Sequence, residues 1–586
     1  MHSQVRHTRP PRTGSVLVLT LIVIAMLTLG AMAFSQRMLY EFRGTRTHGR
    51  HFQARHLAES GVEYLKFMLT QDKLTLLQSG GVYMNPQMLQ GVLITPEEPN
   101  AIYRGRFTCV APDMTIDGLM NGGLRYGGIE NESSRLNLNA VLLADTAVAG
   151  SGRTMLMALP GMTEAIADAI LDWIDTDETP REMGAELSQY SLAQFRYGPR
   201  NAALHSLEEL LLVRDVTPAL LFGADLNRDG VVQEIEKPLI AIDNADNTDG
   251  SLSRGWSAYL TIDSAERNAR PDGRPKIDVN TADLTLLQQQ LTEILSPDQV
   301  NFIIAYRQGG VPLATPTTEQ PQTGQPQGSA QLTQGGTQLT QGGTQLTQGG
   351  AQAQQGGAQA QQGGAQAQQG GGAAAGAANT TPVAASSVQL DLALTGNVSL
   401  TSILDLIGAT ASVVPLNQTQ AVSVINPFIE DASQMQIYLP LLMDNVAVNA
   451  SPTIPGRLNI NQAPRQLLVG IPGMDQALLE LIIANRDTSL GANQPTQMYE
   501  TWLLTQGLVD LAKMKTLLPM ITSGGDVYRA RVVGYFDGGG PVSRVEVVID
   551  ATTRPPTIIR RWELDSLGQD IGYFPEDLGA QIDNIQ

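Results

Sequence analysis

The chain has 586 residues, 42% hydrophobic and 16% charged, with a formal net charge of −19. That length and balance allow several folded domains plus a biased segment, and so acidic a body repels nucleic acid and anionic lipid while favouring cations. A single cysteine, Cys109, excludes an intrachain disulfide, and five of the six histidines precede residue 57, so nucleophilic and zinc chemistry lack parts and no catalysis is expected.

The first predicted element is a membrane span. Residues 15–34 carry no charge and begin directly after a basic stretch that ends in Arg12, Thr13 and Gly14. Twenty helical residues cover about 30 Å, the hydrocarbon thickness of a bilayer. The apolar core is too long for a cleaved secretory signal. Arg6, Arg9 and Arg12 precede the run; Arg37, Arg43, Arg46, Arg50 and Arg55 follow it. A count of positive charge alone puts the second flank inside the cell.

The basic leader, Gly14 before a cut, Ser15 as new first residue, and Ala54, Ala58, Glu59, Ser60, Gly61, Glu63 and Tyr64 on the same helix together resemble the prepilin leader and helix of type IV pilins and type II secretion pseudopilins. That resemblance implies cleavage between Gly14 and Ser15 by a prepilin peptidase and an amino terminus in the cytoplasm, against the charge count. It also implies fibre assembly through the apolar helix, which carries Leu19 and Leu21. Most pilins have a glutamate at the fifth mature position, where this chain has Leu19. A fibre-body subunit lacking that carboxylate leaves a neighbour's amine poorly compensated, whereas a subunit with nobody ahead of it loses nothing. Its absence is a habit of the general secretion pathway protein K family.

The helical pattern continues to about Leu77, with Leu57, Val62, Leu65, Met68 and Leu69 among polar residues. Residues 101–110 then alternate as a strand. A hairpin pattern lies near the other end, where Tyr528, Ala530, Val532 and Gly534 alternate, followed after Gly538–Pro541 by Val545, Val547 and Ile549. Between them one motif occurs three times, as Arg135-Leu-Asn-Leu-Asn139, Lys276-Ile-Asp-Val-Asn280 and Arg457-Leu-Asn-Ile-Asn461, each ahead of a helix pair. Ser296, Pro297 and Gln299 give the second pair a capping box. The copies are too unevenly spaced for a solenoid. Residues 320–390 are uncharged, centred on Gln-Leu-Thr-Gln-Gly-Gly and Gln-Ala-Gln-Gln-Gly-Gly repeats, and read as a flexible insertion.

Leu159-Pro-Gly-Met-Thr163 and Ile471-Pro-Gly-Met-Asp475 look like helix-hairpin-helix turns, a module that often grips phosphate through a Gly-x-Gly hairpin. Here the second glycine is Thr163 or Asp475, and Glu164, Asp168, Asp172, Asp175 and Asp177 crowd the first turn with negative charge. Phosphate is repelled, so these modules are expected to pack protein and not nucleic acid. The ordered set of Glu130-Asn-Glu132, the first Asn-x-Asn copy, Leu159-Pro-Gly161, Ala169 to Asp177 and Ser206-Leu-Glu-Glu-Leu210 resembles general secretion pathway protein K. The family implies an α+β fold: a long amino-terminal membrane-spanning helix, a small antiparallel sheet of pilin type, and a large helical domain with helix-hairpin-helix modules inserted between strands.

One further loop, Asp225, Asn227, Asp229, Gly230, Val231, Gln233 and Glu236, has the spacing of a calcium loop, with oxygen ligands at alternate positions and a closing carboxylate. Pro238 stops any exiting helix, so the usual helical frame is incomplete. Asp243, Asp246 and Asp249 fit no calcium template and read as solvated.

The expected organisation is a leader over 1–14, a span over 15–36, its helical extension over 37–77, a first β region over 78–134, helical modules over 135–319, the insertion over 320–390, a further helical region over 391–522 and a carboxy-terminal β region over 523–586. The expected role is a minor pseudopilin at the tip of the type II secretion pseudopilus, anchored in the inner membrane with its body in the periplasm. Other minor pseudopilins, secreted cargo or the outer-membrane channel would be its partners. The alternatives are a membrane-anchored, competence-type DNA receptor and a minor pilin of a type IV pilus.

Overall fold

The computed structural model describes residues 13–95, 98–115, 123–192, 197–225, 227–228, 232, 236, 240–311, 381–486, 495–567 and 577–579. The chain divides into two units, Met1–Leu313 with Val383–Gln586, and Ala314–Pro382. The repeats of the insertion and residues 1–12 of the leader lie outside the described residues.

Helix α1 (Thr13–Met68) runs unbroken from the apolar segment into the body of the protein. Its amino-terminal part is long and apolar enough to cross a bilayer and is exposed throughout. The helix stops at Met68 and not near Leu77. Asp72 accepts a hydrogen bond from the Thr75 amide and so caps a separate short helix, Lys73–Gln78, which breaks the register.

The carboxy-terminal half of α1 lies on a seven-stranded sheet made of β1 (Val92–Leu93), β2 (Gly105–Pro112), β3 (Leu124–Tyr126), β4 (Glu130–Asn131), β5 (Val527–Phe536), β6 (Ser543–Asp550) and β7 (Thr557–Glu563). The main path is β1-β2-β5-β6-β7, with β3 on β2 and β4 on β5, and all its pairings are antiparallel. The strand expected over residues 101–110 begins at Gly105 and not Ala101, because residues 101–104 turn back through hydrogen bonds to Asn100. Sheet strands at both ends of the sequence thus enclose the helical body in chain order.

Period-2 alternation puts Phe107, Cys109, Val532, Val545 and Val547 on one face, against Ala58, Val62 and Leu65 of α1. The approach is close enough to need glycines on both partners. A Cβ on Gly61 would lie 2.5 Å from Val532 Cγ1, and one on Gly534 would lie 2.2 Å from the Ala54 carbonyl oxygen. Arg55 and Glu59 on α1 pair with Glu563 and Arg561 on β7, which fixes the helix along the sheet.

The helical body repeats one design three times. The motif strand Leu136–Asn137 pairs in parallel with Leu260–Thr261, Ile277–Asp278 with Val446–Ala447, and Leu458–Asn459 with Ile521–Thr522. Each motif strand leads into a helix pair: α2 (Ser151–Met157) and α3 (Glu164–Ile174), α4 (Leu284–Thr292) and α5 (Pro297–Gly309), α6 (Arg465–Val469) and α7 (Gln476–Asn485). The Ser296 capping box is present.

The motif's last asparagine is a clamp. Asn139 donates to the carbonyls of Leu204 and Ile262, Asn280 to those of Leu400 and Val448, and Asn461 to those of Gln497 and Ser523. In each module one acceptor lies one residue past the returning strand, so a single amide closes a loop of many residues and satisfies buried carbonyls. In the second and third modules an arginine at the end of the second helix, buried as Arg307 and half-buried as Arg486, completes the joint. Arg307 donates to the carbonyls of Asn280 and Thr281, and Arg486 to that of Ala463. In the sequence these are Ile303-Ile-Ala-Tyr-Arg307 and Ile482-Ile-Ala-Asn-Arg486. The first module has Ile174 at that position, and with Asp172 two places earlier it takes a different course.

Candidate functional site

In the first module, Thr163 caps α3 by accepting from the Ile166 amide, and the apolar face of the helix carries Ile166, Ile170, Trp173 and Ile174 into the core. The polar residues Asp168 and Asp172 are nevertheless buried, at 1% and 0% exposure. They hold the segment that follows. Asp168 accepts from the Met183 amide, and Asp172 from the amide and guanidinium of Arg181, the latter at 2.7 Å. Gly184 is required at the fold-back, since a Cβ there would lie 1.8 Å from Asp172 Oδ2.

This fold-back brings Asp175, Asp177 and Glu186 together, with one carboxylate oxygen from each within 4.8 Å of the others. Glu186 is 2% exposed and neither of its oxygens has a hydrogen-bond partner; Asp175 Oδ1 is likewise buried and unpartnered. Burial, reinforced by Asp172, Asp175, Asp177 and Glu178, pushes the Glu186 carboxyl up to about 7. Burial also raises Asp175, although Arg181 opposes the shift. Arg181 pairs with Asp172 and Asp175, and among the described residues Asp177 and Glu186 make no ion pair. Orphaned, buried oxygens of carboxylate type are the donor set of a hard divalent cation such as calcium.

Sequence reasoning singled out Asp175 and Asp177 only as a source of repulsion and missed Glu186. The signal available was Asp-x-Asp at the end of a helix followed by a Gly-x-Glu, but the fold-back that joins them is a tertiary event.

The calcium-spaced loop is described only in part. Asp225 and Glu236 are both buried, and Glu236 accepts a hydrogen bond from the Asn227 amide at 3.3 Å. The third and twelfth positions of the loop are therefore drawn together. Asp229, Val231 and Gln233 lie outside the described residues. Gly14 and Ser15 fall in the first turns of α1, and Leu19 and Leu21 are exposed along it.

The two Pro-Gly turns end in helix caps. Asp475 accepts from the Leu478 amide at 2.9 Å and has Lys513 3.7 Å away, as Thr163 serves α3. Both residues that replace the second hairpin glycine are thus committed to their own helices.

A helix long and apolar enough to cross a bilayer thus continues onto an antiparallel sheet, and a helical body lies between the sheet's strands in chain order, an α+β arrangement with one candidate membrane anchor. Residues 134–222 match the family model of type II secretion system protein K, which supports the resemblance to the general secretion pathway protein K family. The matched stretch holds the first Asn-x-Asn copy, the first helix pair and the acidic fold-back. This family is a structural part of the secretion machine, and the match supports the role of a type II secretion minor pseudopilin in a pseudopilus complex with other components of that system. A comparison with curated proteins finds no match.

Proposed function

We propose that this protein caps the tip of the type II secretion pseudopilus, helps start fibre growth and so assists protein export. The leader is removed between Gly14 and Ser15 by a prepilin peptidase, and the body stands on the periplasmic side of the inner membrane. The carrying observation is a protein K segment attached to an unbroken, exposed span with Leu19 where fibre-body subunits carry a carboxylate. A first subunit has no neighbour's amine to neutralise, so the missing charge costs it nothing. Its partners in this role are other minor pseudopilins, with secreted cargo or the outer-membrane channel beyond them. Co-expression with the minor pseudopilins of the same host should give a stable complex in which this subunit occurs once. Deleting its gene should stop export. A chain that purifies alone, with export intact after deletion, contradicts the proposal.

Calcium belongs to the same reading. Asp175, Asp177 and Glu186 would hold one ion, which would relieve their mutual repulsion and lock the fold-back, and the loop from Asp225 to Glu236 is a second candidate. Millimolar calcium is expected to raise the melting temperature of the intact chain by several degrees, and chelator to reverse it. Glu186→Gln should abolish the shift if the first cluster is the site, and Glu236→Gln if the loop is. A melting temperature unmoved by calcium in the unmodified protein would exclude both.

A further inference from the structure

The ends of the sheet's strands engage Arg46 and Arg50 but do not account for Arg37 and Arg43, nearer the span. Arg37, Arg43, Arg46 and Arg50 lie within about 20 Å of helix, and Glu41 is the only acid between residues 37 and 58. Glu41 pairs with Arg37 at 3.3 Å, both side chains being largely exposed. Arg43 makes no ion pair among the described residues. Arg46 donates to the Tyr103 hydroxyl at 2.8 Å, and Arg50 to the carbonyls of Ile102 and Gly539. These acceptors are uncharged, so they orient two guanidinium groups without neutralising them. Tyr40 and Phe42 stand between the arginines at 71% and 66% exposure.

Steps of 100° per residue spread Arg37, Tyr40, Phe42 and Arg43 around the whole circumference of α1. A protein partner takes one face of a helix, whereas a bilayer surrounds it. Exposed aromatics and arginines just past an apolar run are also what an interface of headgroups accepts.

We propose that Arg37 and Arg43, with the Tyr40 and Phe42 rings, form a collar that seats the phosphates of anionic phospholipids at the outer end of the span. Guanidinium groups bind phosphate through paired, charge-assisted hydrogen bonds, and Arg46 and Arg50 add field from one to two Debye lengths further out. The lipid supplies the negative charge that the chain withholds there, and it offsets a flank whose sign opposes the usual orientation rule. This rests on α1 crossing a bilayer, and not on the subunit's place in a fibre.

The test uses the full chain in vesicles of equal phosphatidylcholine and phosphatidylglycerol, gently extracted and weighed by native mass spectrometry with its bound lipid. Retention of phosphatidylglycerol over phosphatidylcholine by roughly threefold or more is expected. It should vanish in the Arg37→Gln/Arg43→Gln double variant and in about 0.5 M salt, and survive largely in Arg37→Lys/Arg43→Lys. Equal retention of the two lipids, or an enrichment the double glutamine variant leaves unchanged, overturns the collar. Release of the chain from vesicles by alkaline washing would instead show that α1 does not span.

Discussion

Gly534→Ala is expected to detach α1 from the sheet. The added Cβ would lie 2.2 Å from the Ala54 carbonyl oxygen and 2.5 Å from the Ala58 nitrogen. Both are backbone atoms of a helix, so no side-chain rotation relieves them. The helix must lift, and the layer formed by Ala58, Val62 and Leu65 against Phe107 and Val532 opens with it. Overpacking without an escape of this kind typically costs 1–3 kcal/mol, and loss of the layer carries the total above about 4 kcal/mol. Denaturant unfolding followed by tyrosine fluorescence and circular dichroism reads the change. Gly44→Ala, on a stretch of the same helix with nothing within 4 Å of the new Cβ, should leave the midpoint unmoved. Equal midpoints for the two variants would refute the close packing of helix and sheet.

The second large effect is expected at Glu546, which joins Arg529 at 3.1 Å and Arg531 at 2.8 Å where the sheet meets the helical body. Burial alone would raise this carboxyl, but Arg531 and Arg529 outweigh it and hold it down at about 2. Arg529 also reaches the fully buried Glu132 at 2.6 Å, and Arg135 of the first motif pairs with Glu130. Glu546→Gln strips charge from a largely buried network at the edge of an open cavity and leaves Arg529 and Arg531 less compensated, and roughly 2–3 kcal/mol should be lost. Because the folded value lies below the ordinary 4.5, Glu546 contributes its stabilisation fully above that pH and loses it as pH falls towards 2. An acid titration of the intact protein should therefore show stability falling through this window, and the glutamine variant a shallower decline. Parallel profiles would show that Glu546 is not the group responsible.

The parts of this molecule that were legible in sequence are those with local causes. The span is a matter of composition, the Ser296 cap a matter of three neighbouring side chains, and the Asn-x-Asn copies a matter of repetition. What escaped depends on residues far apart in the chain. Nothing near Asn139 announces that its amide will meet carbonyls at Leu204 and Ile262. The two-residue strands that return to each motif are too short to show a period. Arg307 and Arg486 share an Ile-Ile-Ala-x-Arg frame that a comparison of the three copies would have exposed. The acidic fold-back needed Gly184, Asp172 and Arg181 to act together before Glu186 could meet Asp175 and Asp177. The overestimated end of α1 has a local cause that periodicity ignores, the cap made by Asp72.

The proposed removal of the leader is read most directly at the mature amino terminus. Protein purified from membranes of its native host should begin at Ser15 by mass spectrometry, with or without N-methylation, having lost residues 1–14. An intact terminus at Met1 would contradict the account, because a retained basic leader in front of the span could not enter a fibre assembled through that helix.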